Sequence, residues 1–251
     1  MASETRVRPR TVVPGRSWPP HDTEESVLGT NLHQTTITNL RWGINEVASL
    51  RRVPGQPVPW EAQSQTALLG CQRPNDSLYR TYPDVFVYPR PIDPRRGTLT
   101  VAVDGPPLLI VEVLSDATCD VDLDLAEGKG YSYARAGVRE YLALDPASEF
   151  VPEGIRAWRL EDGVYRPWLP EADGRWHSAR IDVAIALEGV MAAIYTRDGR
   201  RILREGEGEL ERARLHEEIA RREEELARKD AEVERLRQRL AERHGPNGDG
   251  A

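Results

Sequence analysis

The most constraining feature of the sequence is the segment LLIVEVLS at residues 108–115, which is apolar at nearly every position. A strand with one exposed face alternates apolar and polar residues, so this run indicates a strand covered on both faces. Other short apolar runs lie between turns, and we predict strands at QTALLG, DVFVYP, EYLALDP, IRAWRL and GVYRPWLP. These runs predict a sheet that is buried between other layers of structure.

A helix is predicted between LLIVEVLS and EYLALDP, in the segment DLDLAEGKGYSYARAGV. Its Leu125, Tyr133 and Ala136 suit a short helix, and Gly137 suits the position just after it. Strand, helix and strand then form a crossover unit, which is typical of a mixed α/β sheet. Residues 24–50 predict an amphipathic helix with Asp22 or Thr23 as N-cap, because their apolar residues recur every three or four positions. A hairpin is expected at Glu161-Asp162-Gly163, and IDVAIALEGVMAAIY is expected to close the domain.

Changes in composition divide the chain into four parts. Residues 1–22 are rich in Pro, Arg, Ser and Thr and predict a disordered arm. Residues 23–203 form the α/β domain, residues 204–243 form an Arg- and Glu-rich helical tail, and residues 244–251 form a disordered end.

The tail carries part of a heptad pattern. One seam position is apolar in every heptad, at Ile219, Leu226, Val233 and Leu240. The second seam position is mixed, with Leu215, Arg222, Lys229 and Leu236. The pattern predicts a charged helix, and two arrangements remain open: a solvated single helix and a weak coiled coil that forms a homodimer through residues 204–243.

Composition excludes several classes of protein. The two cysteines, Cys71 and Cys119, cannot make a disulfide framework, and no Cys/His cluster with zinc spacing is present. No run of about 18 apolar residues predicts a membrane span. The first twenty residues lack the apolar stretch of a secretory signal. We therefore expect a protein of the reducing cytoplasm that does not cross a membrane.

The chain is acidic, with 34 basic and 41 acidic residues and a net charge of −7. This balance argues against a nucleic-acid coat protein, which carries a basic surplus. It still allows an enzyme that holds DNA in a local basic groove, where Arg41, Arg51 and Arg52 are candidates to contact phosphates.

Two acidic residues are candidates for chemistry. Asp84 precedes the strand VFVYP, and Glu112 lies inside the apolar strand, where an unpaired carboxylate is costly to bury. Alternation places Ile110, Glu112 and Leu114 on one face of that strand. Glu112 therefore needs a partner, which is either an arginine in a buried salt bridge or water at the strand end. Alternatively, two carboxylates on neighbouring strands are suited to hold a hard divalent cation such as Mg²⁺.

Lysine is rare in this chain, with 32 of the 34 basic residues being arginine. The two lysines are Lys229 in the charged tail and Lys129 in the predicted crossover helix. Where arginine is the usual cation, a retained lysine indicates a position that needs an ammonium group, although chance retention is the alternative. From its helix Lys129 would reach the Glu112 strand.

Three segments carry a resemblance to a known family: TYPDVFVYPRP, PPLLIVEVLS and DLDLAEGKGYSYARAGVREYLALDP. They resemble the Uma-two type of endonucleases, which belong to the PD-(D/E)XK, restriction-endonuclease-like superfamily. The resemblance covers roughly residues 24–195, and its most specific part runs from Leu108 to Pro146. It implies a restriction-endonuclease-like α/β fold, with a mixed sheet of four or five strands flanked by helices.

The resemblance also implies a site that hydrolyses DNA phosphodiester bonds with Mg²⁺ or Mn²⁺. Asp84, Glu112 and the backbone carbonyl of Val113 would hold the metal, which would acidify a water molecule. In the superfamily motif the lysine stands two residues after the acid, but here that position is Leu114. The resemblance places the lysine on the following helix, where Lys129 matches. Lys129 would then position the water or stabilise charge on the phosphate.

Other polar residues are accessory candidates. His33 lies on the first predicted helix and would contact a phosphate or assist proton transfer, or else be a surface or capping histidine. Glu25 or Glu46 would supply a further acidic group from the same helix.

Three further acids, Asp120, Asp122 and Asp124, precede the crossover helix. Two interpretations compete: a second metal site, and an N-cap and first-turn acid cluster, which we favour. Tyr131 and Tyr133 are expected to pack.

Two functions follow from these observations. The first is a metal-dependent DNA endonuclease with Asp84, Glu112 and Lys129 as catalytic residues. The second is a non-catalytic module of the same fold that acts as an interaction or scaffold protein through its tail. The acid–acid–lysine set is intact, which favours the enzyme. No GxSxG, P-loop or GxGxxG segment supports another catalytic class.

Overall fold

The computed structural model describes residues 31–243 of the chain, and contacts divide the chain into two compact units at Glu205 and Gly206. The predicted arm at 1–22, the candidate Glu25, the predicted N-cap at Asp22 or Thr23 and the predicted end at 244–251 lie outside the described residues. The helices of the first unit are α1 (Asn31–Leu50), α2 (Val101–Asp104), α3 (Cys119–Asp122) and α4 (Lys129–Ala136). Its first six strands are β1 (Glu61–Gln63), β2 (Ala67–Gln72), β3 (Leu78–Thr81), β4 (Val85–Tyr88), β5 (Thr98–Thr100) and β6 (Leu109–Val113). The next six are β7 (Glu140–Leu144), β8 (Ile155–Glu161), β9 (Val164–Pro167), β10 (Trp176–His177), β11 (Val183–Glu188) and β12 (Met191–Thr196).

A six-stranded mixed sheet with the order β1-β4-β6-β7-β8-β9 forms the centre of the first unit. Strands β6 and β7 are parallel and are joined through α4, as the predicted crossover requires, while the other neighbours are antiparallel. The mixed α/β class is therefore confirmed. The sheet has six strands rather than four or five, because the short β1 and the hairpin strand β9 extend its two edges.

The predicted turn at residues 161–163 joins β8 and β9. Asp162 and Gly163 have φ angles of 49° and 80°. Two successive positive φ angles are typical of a type I′ turn, whose twist matches that of antiparallel strands.

Two three-stranded sheets accompany the central sheet, with the orders β10-β11-β12 and β3-β2-β5. The apolar segment IDVAIALEGVMAAIY folds back on itself as the antiparallel pair β11 and β12. Helix α1 packs on β12 so closely that a Cβ atom at Gly43 would lie 2.6 Å from Ile194 Cγ1. This contact fixes α1 over one face of the first unit.

Strand β6 is buried on both faces, which confirms the prediction from its continuous apolar run. Val111 and Val113 belong to the apolar cluster that includes α1, whereas Ile110 and Leu114 belong to the cluster that includes α4. Glu112 shares the second face and is 1% exposed. A carboxylate therefore lies in the middle of the domain, where it requires partners.

The second unit contains helix α5 (Glu207–Arg243), which is 37 residues long. Its large apolar side chains are exposed to solvent. Among the helices of residues 31–243, none has the length and apolar character that a membrane span requires.

Candidate active site

Two carboxylates from neighbouring strands meet near the end of the central sheet. Val85 of β4 pairs with Val111 of β6, so Asp84, just before β4, lies beside the next residues of β6. The Asp84 Oδ2 atom accepts a hydrogen bond from the Val113 N–H at 2.8 Å. The Asp84 N–H donates to Glu112 Oε2 at 3.4 Å. These two hydrogen bonds hold Asp84 against β6, next to the Glu112 side chain.

The ammonium group of Lys129 completes this cluster. Its Nζ atom lies 3.4 Å from Glu112 Oε1 and 3.0 Å from Asp122 Oδ1. Lys129 is the first residue of α4, and it is 5% exposed. The structure thus brings together the three side chains that the sequence predicts as catalytic. Their chemical roles remain predictions.

Asp122 belongs to the same cluster, whereas the sequence favoured a first-turn acid at the start of the crossover helix. It ends α3, is 1% exposed, and its Oδ1 atom lies 3.0 Å from the Lys129 Nζ atom. The predicted acid cluster at the start of the crossover helix is therefore wrong for Asp122: it lies in the first turn of the separate helix α3, whereas α4 has Gly128 as N-cap and no acid in its first turn. Asp124 does have such a local role, because its Oδ1 accepts the N–H groups of Ala126 and Glu127. The three aspartates alternate along the sequence, which does not distinguish their roles. The fold gives Asp122 and Asp124 different surroundings.

Tyr133 is a second residue that the sequence did not assign to the site. Its hydroxyl group donates to Glu112 Oε1 at 2.5 Å and lies 3.1 Å from the Thr81 hydroxyl. The side chain also packs edge-on against Tyr141, as a packing residue would. Tyr133 follows Lys129 by four residues on α4, so both side chains lie on one helix face. This spacing is the signal that could have identified it.

His33 also lies in the cluster. Its Nε2 atom is 3.0 Å from the Val113 carbonyl oxygen and 3.5 Å from Asp84 Oδ2. Both neighbours are acceptors, so Nε2 carries a hydrogen and donates. The hydrogen bond to Asp84 raises the pKa of His33, against the opposing effect of burial. His33 is therefore a partly buried residue of this site and not a surface histidine.

The other candidates on and after α1 lie elsewhere. Glu46 follows His33 by thirteen residues, which is about 20 Å along a helix, so α1 does not bring it to the cluster. Arg51 forms an ion pair with Asp182 at 2.5 Å. Arg41 and Arg52 are exposed.

The cluster contains more carboxyl groups than cationic groups. Burial raises the pKa of Glu112 well above its usual value, and the neighbouring Lys129 opposes that rise. Burial likewise raises the pKa of Asp122, again opposed by Lys129. With Asp84 included, three carboxylates face one ammonium group and one imidazole. A cation bound beside these carboxyls would favour their ionised forms and offset the effect of burial.

A hard divalent cation fits the oxygen atoms of this cluster. Within residues 31–243 no three His, Cys, Asp or Glu side chains converge closely enough to form a metal site by themselves. The predicted ligand set does not require three side chains, because it combines two carboxylates, Asp84 and Glu112, with the backbone carbonyl of Val113. These are all oxygen ligands, which Mg²⁺ and Mn²⁺ prefer. The Asp122 carboxyl lies beside this set, joined to it through Lys129.

The mixed sheet, its flanking helices and the buried acid–acid–lysine cluster together define a restriction-endonuclease-like domain. The family model Uma2, described as "putative restriction endonuclease", matches residues 28–183. Because this match spans more than half of the chain, the chain belongs to the Uma2 family, as the resemblance predicted. No curated protein shows significant similarity to it.

Proposed function

We propose that this protein is a metal-dependent endonuclease that hydrolyses phosphodiester bonds in DNA. The observation that carries the proposal is the buried contact of Lys129 with Glu112, next to the Asp84 carboxylate at the adjoining strand end. A buried cluster of this composition, with raised carboxyl pKa values, is typical of a functional site. Membership in the Uma2 family supports the same class of reaction.

The metal ligands in this proposal are Asp84, Glu112 and the Val113 carbonyl, and the metal is Mg²⁺ or Mn²⁺. When bound, such a cation polarises a phosphate and makes a water molecule more acidic. Asp84 and Glu112 are pre-oriented for this task, since backbone and side-chain hydrogen bonds already hold them. The Tyr133 hydroxyl group donates to Glu112 Oε1, whereas Oε2 accepts the longer bond of 3.4 Å from the Asp84 N–H.

Lys129 has the role of a charged hydrogen-bond donor. Its two carboxyl neighbours, Glu112 and Asp122, fix the position of the amino group. From there it orients the attacking water or stabilises the charge that develops on the phosphoryl oxygens. The water attacks phosphorus, and one P–O bond breaks. His33 is the accessory donor in this proposal, because its Nε2–H group lies beside Asp84 and faces the same cluster.

The test is cleavage of supercoiled and single-stranded DNA with Mg²⁺ and with Mn²⁺. We expect metal-dependent cutting by the wild type and a loss of about a hundredfold or more in Glu112→Ala and Lys129→Met. Two variants are matched controls: Glu46→Ala, on α1 but away from the cluster, and Lys229→Met, the other lysine. Both controls should cut like the wild type. Cutting that survives in Glu112→Ala and Lys129→Met would overturn the assignment of these residues.

Metal binding is tested without reference to cleavage. Mn²⁺ should raise the melting temperature of the wild type and of Glu46→Ala, and leave that of Glu112→Ala unchanged. Isothermal titration calorimetry should show that Mn²⁺ binds to the wild type and to Glu46→Ala more tightly than to Glu112→Ala. Equal shifts in all three proteins would count against the proposed metal ligands.

A second candidate function is a non-catalytic interaction module that acts through α5. The exposed apolar side chains along that helix favour it, since large apolar patches mark interaction surfaces. A protein that neither cuts DNA nor binds Mn²⁺, but associates through α5, would support this alternative. In either case we propose the reducing cytoplasm as its location, where Cys71 and Cys119 stay free thiols.

A further inference from the structure

Helix α5 presents a row of exposed apolar side chains along its length. The eight seam positions of α5 are Leu215, Ile219, Arg222, Leu226, Lys229, Val233, Leu236 and Leu240. The six apolar ones are between 45% and 60% exposed. At 1.5 Å per residue a helix of this length spans about 55 Å. A helix this long with an apolar row at heptad spacing buries that row when it pairs with another helix.

A parallel, in-register pair of two copies places each seam residue opposite itself. Arg222 of one copy would then face Arg222 of the other, and Lys229 would face Lys229. Both pairs would lie in the middle of the seam, where like charges repel in a poorly solvated environment. The parallel arrangement is therefore disfavoured by these two positions.

An antiparallel pair removes the direct pairing of identical cations when its centre lies between Ala227 and Arg228. Residues at equal distances from that centre then face each other across the two copies. These layers pair Leu215 with Leu240, Ile219 with Leu236, Arg222 with Val233, and Leu226 with Lys229. The outer layers are wholly apolar, and each seam cation faces an aliphatic side chain along which its own methylene groups can pack.

The residues beside the seam near its centre are acidic and so complement the charge of the seam cations. Glu223, Glu225, Asp230 and Glu232 occupy the positions beside the seam, close to Arg222 and Lys229. Acids at these positions compensate cations held in the seam. In an antiparallel pair, these four acidic residues therefore lie around the cations Arg222 and Lys229 that the pair would bury.

From this self-complementary pattern we infer that α5 pairs in the antiparallel direction with α5 of a second copy of this chain. The interface is isologous, since each surface meets the same surface of the other copy around a two-fold axis. The inference adds the partner and the direction of pairing, and it does not depend on the nuclease proposal.

The direction is measured by double electron–electron resonance on the full chain with one spin label per copy. In an antiparallel pair, labels at Ala213→Cys lie about 40–45 Å apart along the axis, whereas a parallel pair brings them within about 25 Å. Labels at Ala227→Cys are the control, because they lie near the centre and are close in both arrangements. Both positions are exposed, whereas the native Cys71 and Cys119 are buried.

A long distance at position 213 with a short one at 227 supports the inference, and short distances at both overturn it. Sedimentation velocity tests the seam itself, since Leu226→Arg should weaken association at least tenfold. Leu210→Arg is the matched control, because Leu210 is also exposed but lies off the seam. A wild-type chain that stays monomeric at 100 μM, together with a labelled Ala227→Cys chain that shows no distance, would refute the pairing.

Discussion

Replacing Lys129 by methionine removes the ammonium group that lies between two buried carboxylates. Glu112 and Asp122 are each 1% exposed, and Lys129 lies 3.4 Å and 3.0 Å from them. Methionine fills a similar volume, so the loss is one of charge. Breaking a buried ion pair by removing one partner costs about 3–5 kcal/mol, because a charge is left unpaired. A domain has roughly 5–15 kcal/mol of stability, so the expected cost is a large part of the total.

The pH dependence of this cost follows from the carboxyl groups. Burial raises the pKa of Glu112 and of Asp122 above their unfolded values. A group with a raised folded-state pKa stabilises the fold below its unfolded pKa and loses that contribution as pH rises. Without Lys129 the pKa values rise further, so Lys129→Met should be most destabilised at pH 8 and least near pH 5.

The assay is urea denaturation followed by tryptophan fluorescence, in EDTA to exclude bound metal. All six tryptophans precede α5, so the signal reports the α/β domain. Adding Asp122→Asn to Lys129→Met removes one unpaired carboxylate and should recover about 1–3 kcal/mol. Lys229→Met is the control, since its side chain is 62% exposed and its loss should change stability by about 0.5 kcal/mol at most. A cost below about 1 kcal/mol, or no recovery with Asp122→Asn, would refute the reasoning.

Three further changes probe individual contacts of the α/β domain. Gly43→Ala would force a Cβ against Ile194 and cost about 1–3 kcal/mol of stability in urea denaturation, whereas Gly97→Ala, with open space around it, should cost less. Asp104→Asn should destabilise the domain at pH 7, because arginine partners hold the pKa of that carboxyl below its usual value. The difference from wild type should narrow as the pH falls below about 4, and a constant difference would contradict the assignment. Tyr133→Phe removes the hydroxyl bonded to the buried carboxylate and should cost about 1–3 kcal/mol in thermal melts, while an unchanged melting temperature would argue against that bond.

The sequence by itself determined the local parts of this fold. The uninterrupted apolar run around Glu112 predicted a strand covered on both faces, and β6 is buried in that way. Gly137, in the left-handed conformation, ends α4 where the sequence predicted. These features were predictable because periodicity, turn residues and the cost of burying a charge act over a few neighbouring residues. The same cost showed that Glu112 needs a partner.

The assembly of the candidate site depended on the tertiary structure. The rarity of lysine and the family resemblance indicated Lys129, but neither could show that its second partner is Asp122. His33 and Asp84 meet because α1 packs beside the end of β6, which is set by contacts between distant segments. One-dimensional spacing does not encode such distances, since they follow from sheet register and helix packing. Tertiary packing therefore decided which of several similar acids and histidines share the buried cluster, because only packing removes them together from water.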